Sequence, residues 1–295
     1  MAERAYSEDV ALITAQASAW AYSDLETEVA RMKDVGFAAD CAEGFRVDNS
    51  ALFLNTYAVL LLDSSRREAV LAFRGTEFAN GHYVDLLTDA AIDPVQYKNE
   101  RNLRVHGGFF LNALAIWPKI LRGIEAKLAQ IDRLYVTGHS LGGALATLWV
   151  AELFLEEESN EHHALYEQLR QRYSGLYTFG QPMVGDLHFA SRCEELFGKS
   201  TFRHVYKADL VPQLPPKSTG NFMHFGHEYQ VGPDSQWHLA FDQTTQAYTL
   251  LLSLPLAGMA FIARQFLWSR KLPFNVSLAD HSPLNYLDAS KTSVS

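Results

Sequence analysis

Residues 132–155, DRLYVTGHSLGGALATLWVAELFL, restrict what this chain can fold into more than any other stretch. A short apolar run from Leu134 to Thr137 gives way to Gly138-His139-Ser140-Leu141-Gly142, and apolar residues at helical spacing follow. Strand, tight turn and helix succeed one another with a serine at the apex. Such a reversal forces the apex residue into strained dihedrals. A side chain at 138 or 142 would collide with the neighbouring strand or helix, and glycine at both flanks removes the clash. The turn lifts the Ser140 hydroxyl above the sheet edge. It also leaves the Leu141 N–H at a helix N-terminus, where partial positive charge favours an oxyanion. Ser140 reads as a nucleophile.

The rest of the pattern supplies a sheet for that turn. AVLLL within 57–63 and AVLAF within 69–74 are continuous apolar runs, which suits strands covered on both faces. Helices are expected over 7–21, capped by Ser7 with Val10, Ile13, Ala17 and Trp20 on one face, and over 24–34, with Leu25, Val29 and Met32 inward. A third covers 110–130, with Leu111, Leu114, Trp117, Leu121, Ile124 and Leu128 as the core stripe and a kink at Pro118. Strands at 175–179 and 201–207 flank a helix at 187–198. No linker divides the 295 residues, so the reading is one α/β domain, 1–295, with a mostly parallel central sheet and helices on both faces.

Composition narrows the class of function. An apolar fraction of 48% with 20% charged residues is that of a globular protein, and a net charge of −9 without a basic patch argues against nucleic acid as a partner. Cys41 and Cys193 are far apart in sequence and outside any C-x-x-C spacing, so neither a disulfide framework nor a zinc site is indicated. The N-terminal residues lack the basic region and long apolar core of a secretory signal. The expected compartment is the cytoplasm, with leaderless secretion as the alternative.

A serine hydroxyl needs a histidine to take its proton and a carboxylate to fix that histidine. After Ser140 the acids include Asp186, Asp209, Asp234, Asp242 and Asp280, and the histidines beyond Asp209 are His224, His227, His238 and His281. Spacing alone does not choose among them. Asp209 is favoured by its place just past the 201–207 strand, and His281 by the polar turn Asp280-His281-Ser282-Pro283. Thr76, at a strand end in Arg74-Gly75-Thr76-Glu77, is either a second oxyanion donor beside Leu141 or part of an ordinary turn. From Phe78 to Val105 the pattern is irregular, as in a mobile cover or a surface excursion. Residues 247–263, AYTLLLSLPLAGMAFIA, carry no charge but fall short of the roughly twenty residues that span a bilayer. Pro255 and Gly258 interrupt them, so a buried or subunit-interface helix, or a surface that meets lipid, fits better than a span.

Six segments then carry a resemblance. AFRGTE at 72–77, VHGGF at 105–109, VTGHSLGGALATL at 136–148, TFGQPMVGD at 178–186, VYKADLVPQLPP at 205–216 and DHSPLNYL at 280–287 together resemble the class 3 lipases, the fungal-lipase-like branch of the α/β-hydrolases. The resemblance implies an α/β-hydrolase fold, with Ser140, Asp209 and His281 as catalytic triad and Thr76 and Leu141 as oxyanion hole. It assigns the family's lid helix to 77–93, within a lid-like excursion over 77–105. The implied chemistry is hydrolysis of acylglycerol esters through an acyl-enzyme, at a membrane or droplet interface, with no metal or organic cofactor. Phospholipase A1 or short-chain esterase activity, or lipid binding without catalysis, are the alternatives.

There are departures from the pattern. GHYVDLL lacks the tryptophan of familiar fungal lids, and Met183 stands where arginine is frequent. Two cysteines allow one disulfide at most, against several in the secreted fungal members, which favours a bacterial or intracellular setting. An apolar helical segment at 245–270 separates acid from base and suggests a second apolar wall of the substrate site, with peripheral membrane contact through 247–263.

Overall fold

In the computed structural model, which describes residues 5–49, 54–75, 93–98, 100–155, 162–215, 219–240 and 279–294, the apolar runs of 54–73 form the sheet they imply. Strands β1 (Cys41–Asn49), β2 (Leu54–Asp63) and β3 (Glu68–Phe73) pair antiparallel in succession. From β3 the order turns parallel, through β6 (Arg133–His139), β7 (Tyr173–Phe179), β9 (Thr201–Val205) and β11 (His227–Val231), and β12 (Trp237–Leu239) closes the edge antiparallel. The result is a mixed eight-stranded sheet in the order β1-β2-β3-β6-β7-β9-β11-β12.

The continuous apolar runs follow from burial on both faces. Leu60 and Leu62 of β2 join Phe73, Val136 and Leu176 in one core, while Val59 and Leu61 join Val70, Ala72, Ile13, Met32 and Phe37 in another. Each large aliphatic side chain so buried contributes about 1.5–3 kcal/mol. Helices α3 (Gly107–Glu125), α4 (Leu141–Leu155), α5 (His163–Arg172) and α6 (Leu187–Phe197) cover the first face. The second is covered by α1 (Glu8–Trp20), α2 (Leu25–Met32) and α7 (Pro283–Val294). Ser7 caps α1 as expected, accepting from the Val10 N–H, and Asp24 caps α2 through the Thr27 N–H. Helix α4 is buried along Leu141–Leu153, which explains why it is apolar all round.

Three sequence expectations change. Helix α3 begins at Gly107, where His106 Nδ1 accepts from the Phe109 N–H, and its buried stripe is Phe109, Phe110, Ala113, Ile116 and Ile120 beside Trp117, Leu121 and Ile124. Leu111 and Leu114, read as core, are 46% and 41% exposed. The helix is apolar on most of its surface, so two stripes satisfy the spacing, and the aromatic pair takes the core. Strand β1 escaped detection because it is a half-exposed strand in which only Phe45 is buried. Of the irregular stretch, residues 78–92 lie outside the described residues, but β4 (Pro94–Tyr97) and β5 (Glu100–His106) pair antiparallel. They join β8 (Gly185–Asp186) and β10 (Phe222–Met223) in a second sheet, β10-β8-β5-β4. A leading proline, which an edge strand tolerates, and the charges at 98–104 hid them. The apolar segment 245–270, with 247–263 inside it, lies outside the described residues. Among those described, no helix is long and apolar enough to cross a membrane.

Helix α2 carries one feature that makes stability depend on pH. Glu28 is fully buried, and neither carboxyl oxygen has a hydrogen-bond partner among the described residues. Burial pushes its pKa up from 4.5 to about 8. The folded protein therefore keeps a proton that the unfolded chain releases, and stability falls as pH rises from near 4.5 to near 8. Glu28→Gln is expected to flatten that slope. By thermal melting it should match wild type near pH 5 and exceed it at pH 8 by about 2–4 kcal/mol. Equal losses of melting temperature in both proteins between those pH values would contradict this account.

Candidate active site

The strand-turn-helix of 132–155 has the expected form. Strand β6 ends at His139, helix α4 begins at Leu141, and Ser140 between them has φ +61°. A non-glycine residue held there costs about 1–3 kcal/mol, which the surrounding packing must offset. The flanking glycines are required sterically, because a Cβ at 142 would overlap the Phe73 carbonyl and one at 138 would overlap the backbone of Gly142. The Ser140 N–H donates to the Phe179 carbonyl at 2.9 Å, tying the apex to the end of β7. Leu141 opens α4, so its N–H is among the first-turn donors that no intrahelical carbonyl takes.

Of the candidate acids and histidines, Asp209 and His281 meet. His281 Nδ1 donates to Asp209 Oδ2 at 2.6 Å, and both side chains are fully buried. That bond puts the ring proton on Nδ1 and leaves Nε2 as the basic nitrogen. The carboxylate accepts two more hydrogen bonds, from the Tyr286 hydroxyl at 2.5 Å and from the Val211 N–H at 2.9 Å. Gly180, at φ +59°, closes the arrangement. A Cβ there would lie 2.8 Å from His281 Cε1 and 2.9 Å from Asp209 Oδ2. Ser140, Asp209 and His281 thus gather at the carboxyl ends of β6, β7 and β9, the edge where an open α/β sheet binds ligands.

The remaining candidates do other work. Asp186 caps α6 through the Phe189 N–H, and Asp234 bonds His238 on the exposed β11–β12 turn. His224 donates from Nε2 to the Pro212 carbonyl, and burial holds its pKa well below the ordinary value. His227 lies exposed on β11, and Asp280 accepts from the Ala208 N–H at 3.3 Å. Thr76 and Asp242 lie outside the described residues. Sequence reasoning missed Tyr286, although its segment was singled out. Its position five residues past His281, on the first turn of α7, was the available signal.

Among the described residues, no group of three or more His, Cys, Asp or Glu side chains is placed to hold a metal ion, and Cys41 and Cys193 are free thiols. A serine on a strained turn, a buried imidazole–carboxylate pair and a helix-start amide have the chemistry of acyl transfer.

Comparison with known proteins points the same way. The sequence profile of the family described as lipase (class 3) matches residues 70–219. A lipase of Rhizomucor miehei is 32% identical over 188 residues, which is 63% of this chain and 48% of that protein. A triacylglycerol lipase of Nicotiana tabacum is 43% identical over 98 residues, 32% of this chain and 16% of the relative. The chain therefore spans less than half the length of either relative. The solved structure of Rhizomucor miehei triacylglyceride lipase superposes with a TM-score of 0.59 at 25% identity, covering 78% of this chain and 83% of that one.

Proposed function

The chain belongs to the class 3 lipase family, and on that premise we propose that it is a serine carboxylic ester hydrolase acting on acylglycerols through an acyl-enzyme. One observation carries the reading: the buried Asp209–His281 bond at the sheet edge where Ser140 turns into α4. In the proposed cycle Ser140 Oγ attacks the ester carbonyl while His281 Nε2 takes its proton, then returns it to the leaving alcohol. Water, activated by the same nitrogen, releases the fatty acid. Asp209 fixes the imidazole and stabilises the imidazolium without taking the proton. The Leu141 amide, with that of Thr76, binds the oxyanion, and each such donor is worth roughly a hundred- to a thousand-fold in rate. No step calls for a metal or an organic cofactor.

The substrate assignment rests on relatives whose names are lipase and triacylglycerol lipase, and the lid-like stretch 77–93 and the apolar run 247–263 are proposed to meet the lipid. Initial rates on p-nitrophenyl esters from acetate to palmitate, and on emulsified trioleoylglycerol, test it. Turnover that rises with chain length and above the concentration at which the substrate aggregates is the expected result. Preference for the acetate ester would make the protein a short-chain esterase. Fatty acid release from phosphatidylcholine vesicles alone would make it a phospholipase.

A further inference from the structure

The residue before the nucleophile takes part in a chain of contacts that ends on the base. His139 is fully buried, and its Nε2 lies 2.9 Å from the main-chain carbonyl oxygen of His281. Its Nδ1 lies 3.1 Å from the hydroxyl of Tyr22, in the turn between α1 and α2. A carbonyl only accepts, so the ring proton sits on Nε2, and Nδ1 accepts from the tyrosine. The two imidazoles stack against each other with centroids 4.5 Å apart and a 35° tilt. Gly75 makes room for this, because a Cβ there would overlap the Tyr22 hydroxyl and lie 2.7 Å from the His139 carbonyl oxygen.

We infer that His139 is a positioning residue for the base: held by Tyr22 on one nitrogen, it grips the His281 main chain with the other and keeps that residue in register with Ser140. The inference rests on the esterase reading of Ser140, Asp209 and His281.

The mechanical reason lies in how His281 is attached. It ends the single turn Ala279–His281, and a base must present Nε2 to the nucleophile within a fraction of an ångström. Asp209 fixes the far side of the ring, but a ring held at one nitrogen still pivots if its backbone shifts. The bond from His139 fixes that backbone at the carbonyl. Residue 139 adjoins residue 140, so the grip on the base and the nucleophile sit one peptide apart, and any shift of the elbow moves both together.

His139 also has to stay uncharged, since His281 becomes an imidazolium during turnover. Burial, together with the nearby His281, keeps its pKa well below the ordinary value.

Two substitutions that differ by one methylene separate the bond from the packing. Glutamine places its amide nitrogen where Nε2 of histidine lies. Asparagine reaches only as far as Nδ1, so it keeps an acceptor for Tyr22 and loses the donor to His281. With a soluble p-nitrophenyl ester, H139N is expected to lower kcat about 10- to 100-fold with KM within about twofold, and H139Q to stay within about threefold of wild type. Equal kcat values for the folded variants would overturn the proposal. If H139N fails to fold, H139Q decides alone: a loss of tenfold or more in a folded H139Q overturns it, and near-wild-type turnover supports it.

Labelling of wild-type Ser140 by a fluorophosphonate keeps the two claims apart. If the wild type takes no label and turns over no ester, the esterase reading fails. The grip on His281 is then read from the low-field proton NMR signal of its Nδ1–H, expected sharp in wild type and H139Q and broadened by exchange in H139N. An identical signal in all three would overturn it.

Discussion

Ser140→Ala is expected to lower kcat about a million-fold while leaving KM within a few-fold. The substitution deletes one buried oxygen at the apex of the β6–α4 turn and leaves the left-handed backbone, the flanking glycines and the helix-start amide as they are. Substrate binding survives, and so does whatever oxyanion stabilisation the Leu141 amide gives. What is lost is the acyl-enzyme, because no other hydroxyl or thiol in the described site takes the place of Oγ. Of the two cysteines, Cys193 is on the buried face of α6, where burial pushes its thiol pKa up and keeps it protonated. The check is a steady-state assay with a fluorophosphonate titration to exclude trace wild-type enzyme. A purified, folded variant retaining more than about 1% of wild-type kcat would end the nucleophile assignment.

Asp209→Asn should cost about 10⁴ in kcat, without removing any atom from the base or the nucleophile. The carboxylate accepts from three donors: His281 Nδ1, the Tyr286 hydroxyl and the Val211 N–H. An amide has one oxygen to offer them. If that oxygen stays with Val211, the NH₂ faces Tyr286 and His281, and donors meet donors. The imidazole relieves the conflict by moving its proton to Nε2, so that Nδ1 accepts from the amide. The nitrogen facing the serine then carries a proton and cannot take another. Single-turnover assays should show slow acylation, with circular dichroism unchanged. A loss of less than tenfold would mean that His281 is oriented by something other than this acid.

Much of this site was legible because its constraints are local. The serine turn needs a strand, two glycines and a helix in immediate succession, and 132–155 writes them out in order. The sheet was legible for the same reason, since β2 and β3 are buried on both faces and a continuous apolar run has few other uses. The acid and base were not separable by spacing. Five aspartates after Ser140 and four histidines beyond Asp209 were candidates, and only the fold brings Asp209 against His281, 72 positions further along the chain. The resemblance singled out the pair in advance, but it carried no account of Tyr286 or His139. Their roles depend on what their polar atoms touch in three dimensions, and a place five residues past His281 does not by itself say what a tyrosine hydroxyl meets. The α3 stripe misled for the opposite reason: an apolar majority fits more than one helical face, so periodicity alone cannot say which face meets the sheet.

Helix α7 follows the base by one residue, packs beside α1 and supplies Tyr286 to the acid. The order of synthesis therefore matters. The ribosome releases the elbow, the parallel strands and Asp209 long before it releases His281, and α7 comes last among the described elements. A nascent chain stopped between residues 211 and 281 carries Ser140 and Asp209 with no base, and the acid lacks two of its three hydrogen-bond donors, His281 and Tyr286. On the proposed reading, a nascent chain that stops short of residue 281 is expected to hydrolyse no ester, because the nucleophile has no base to take its proton.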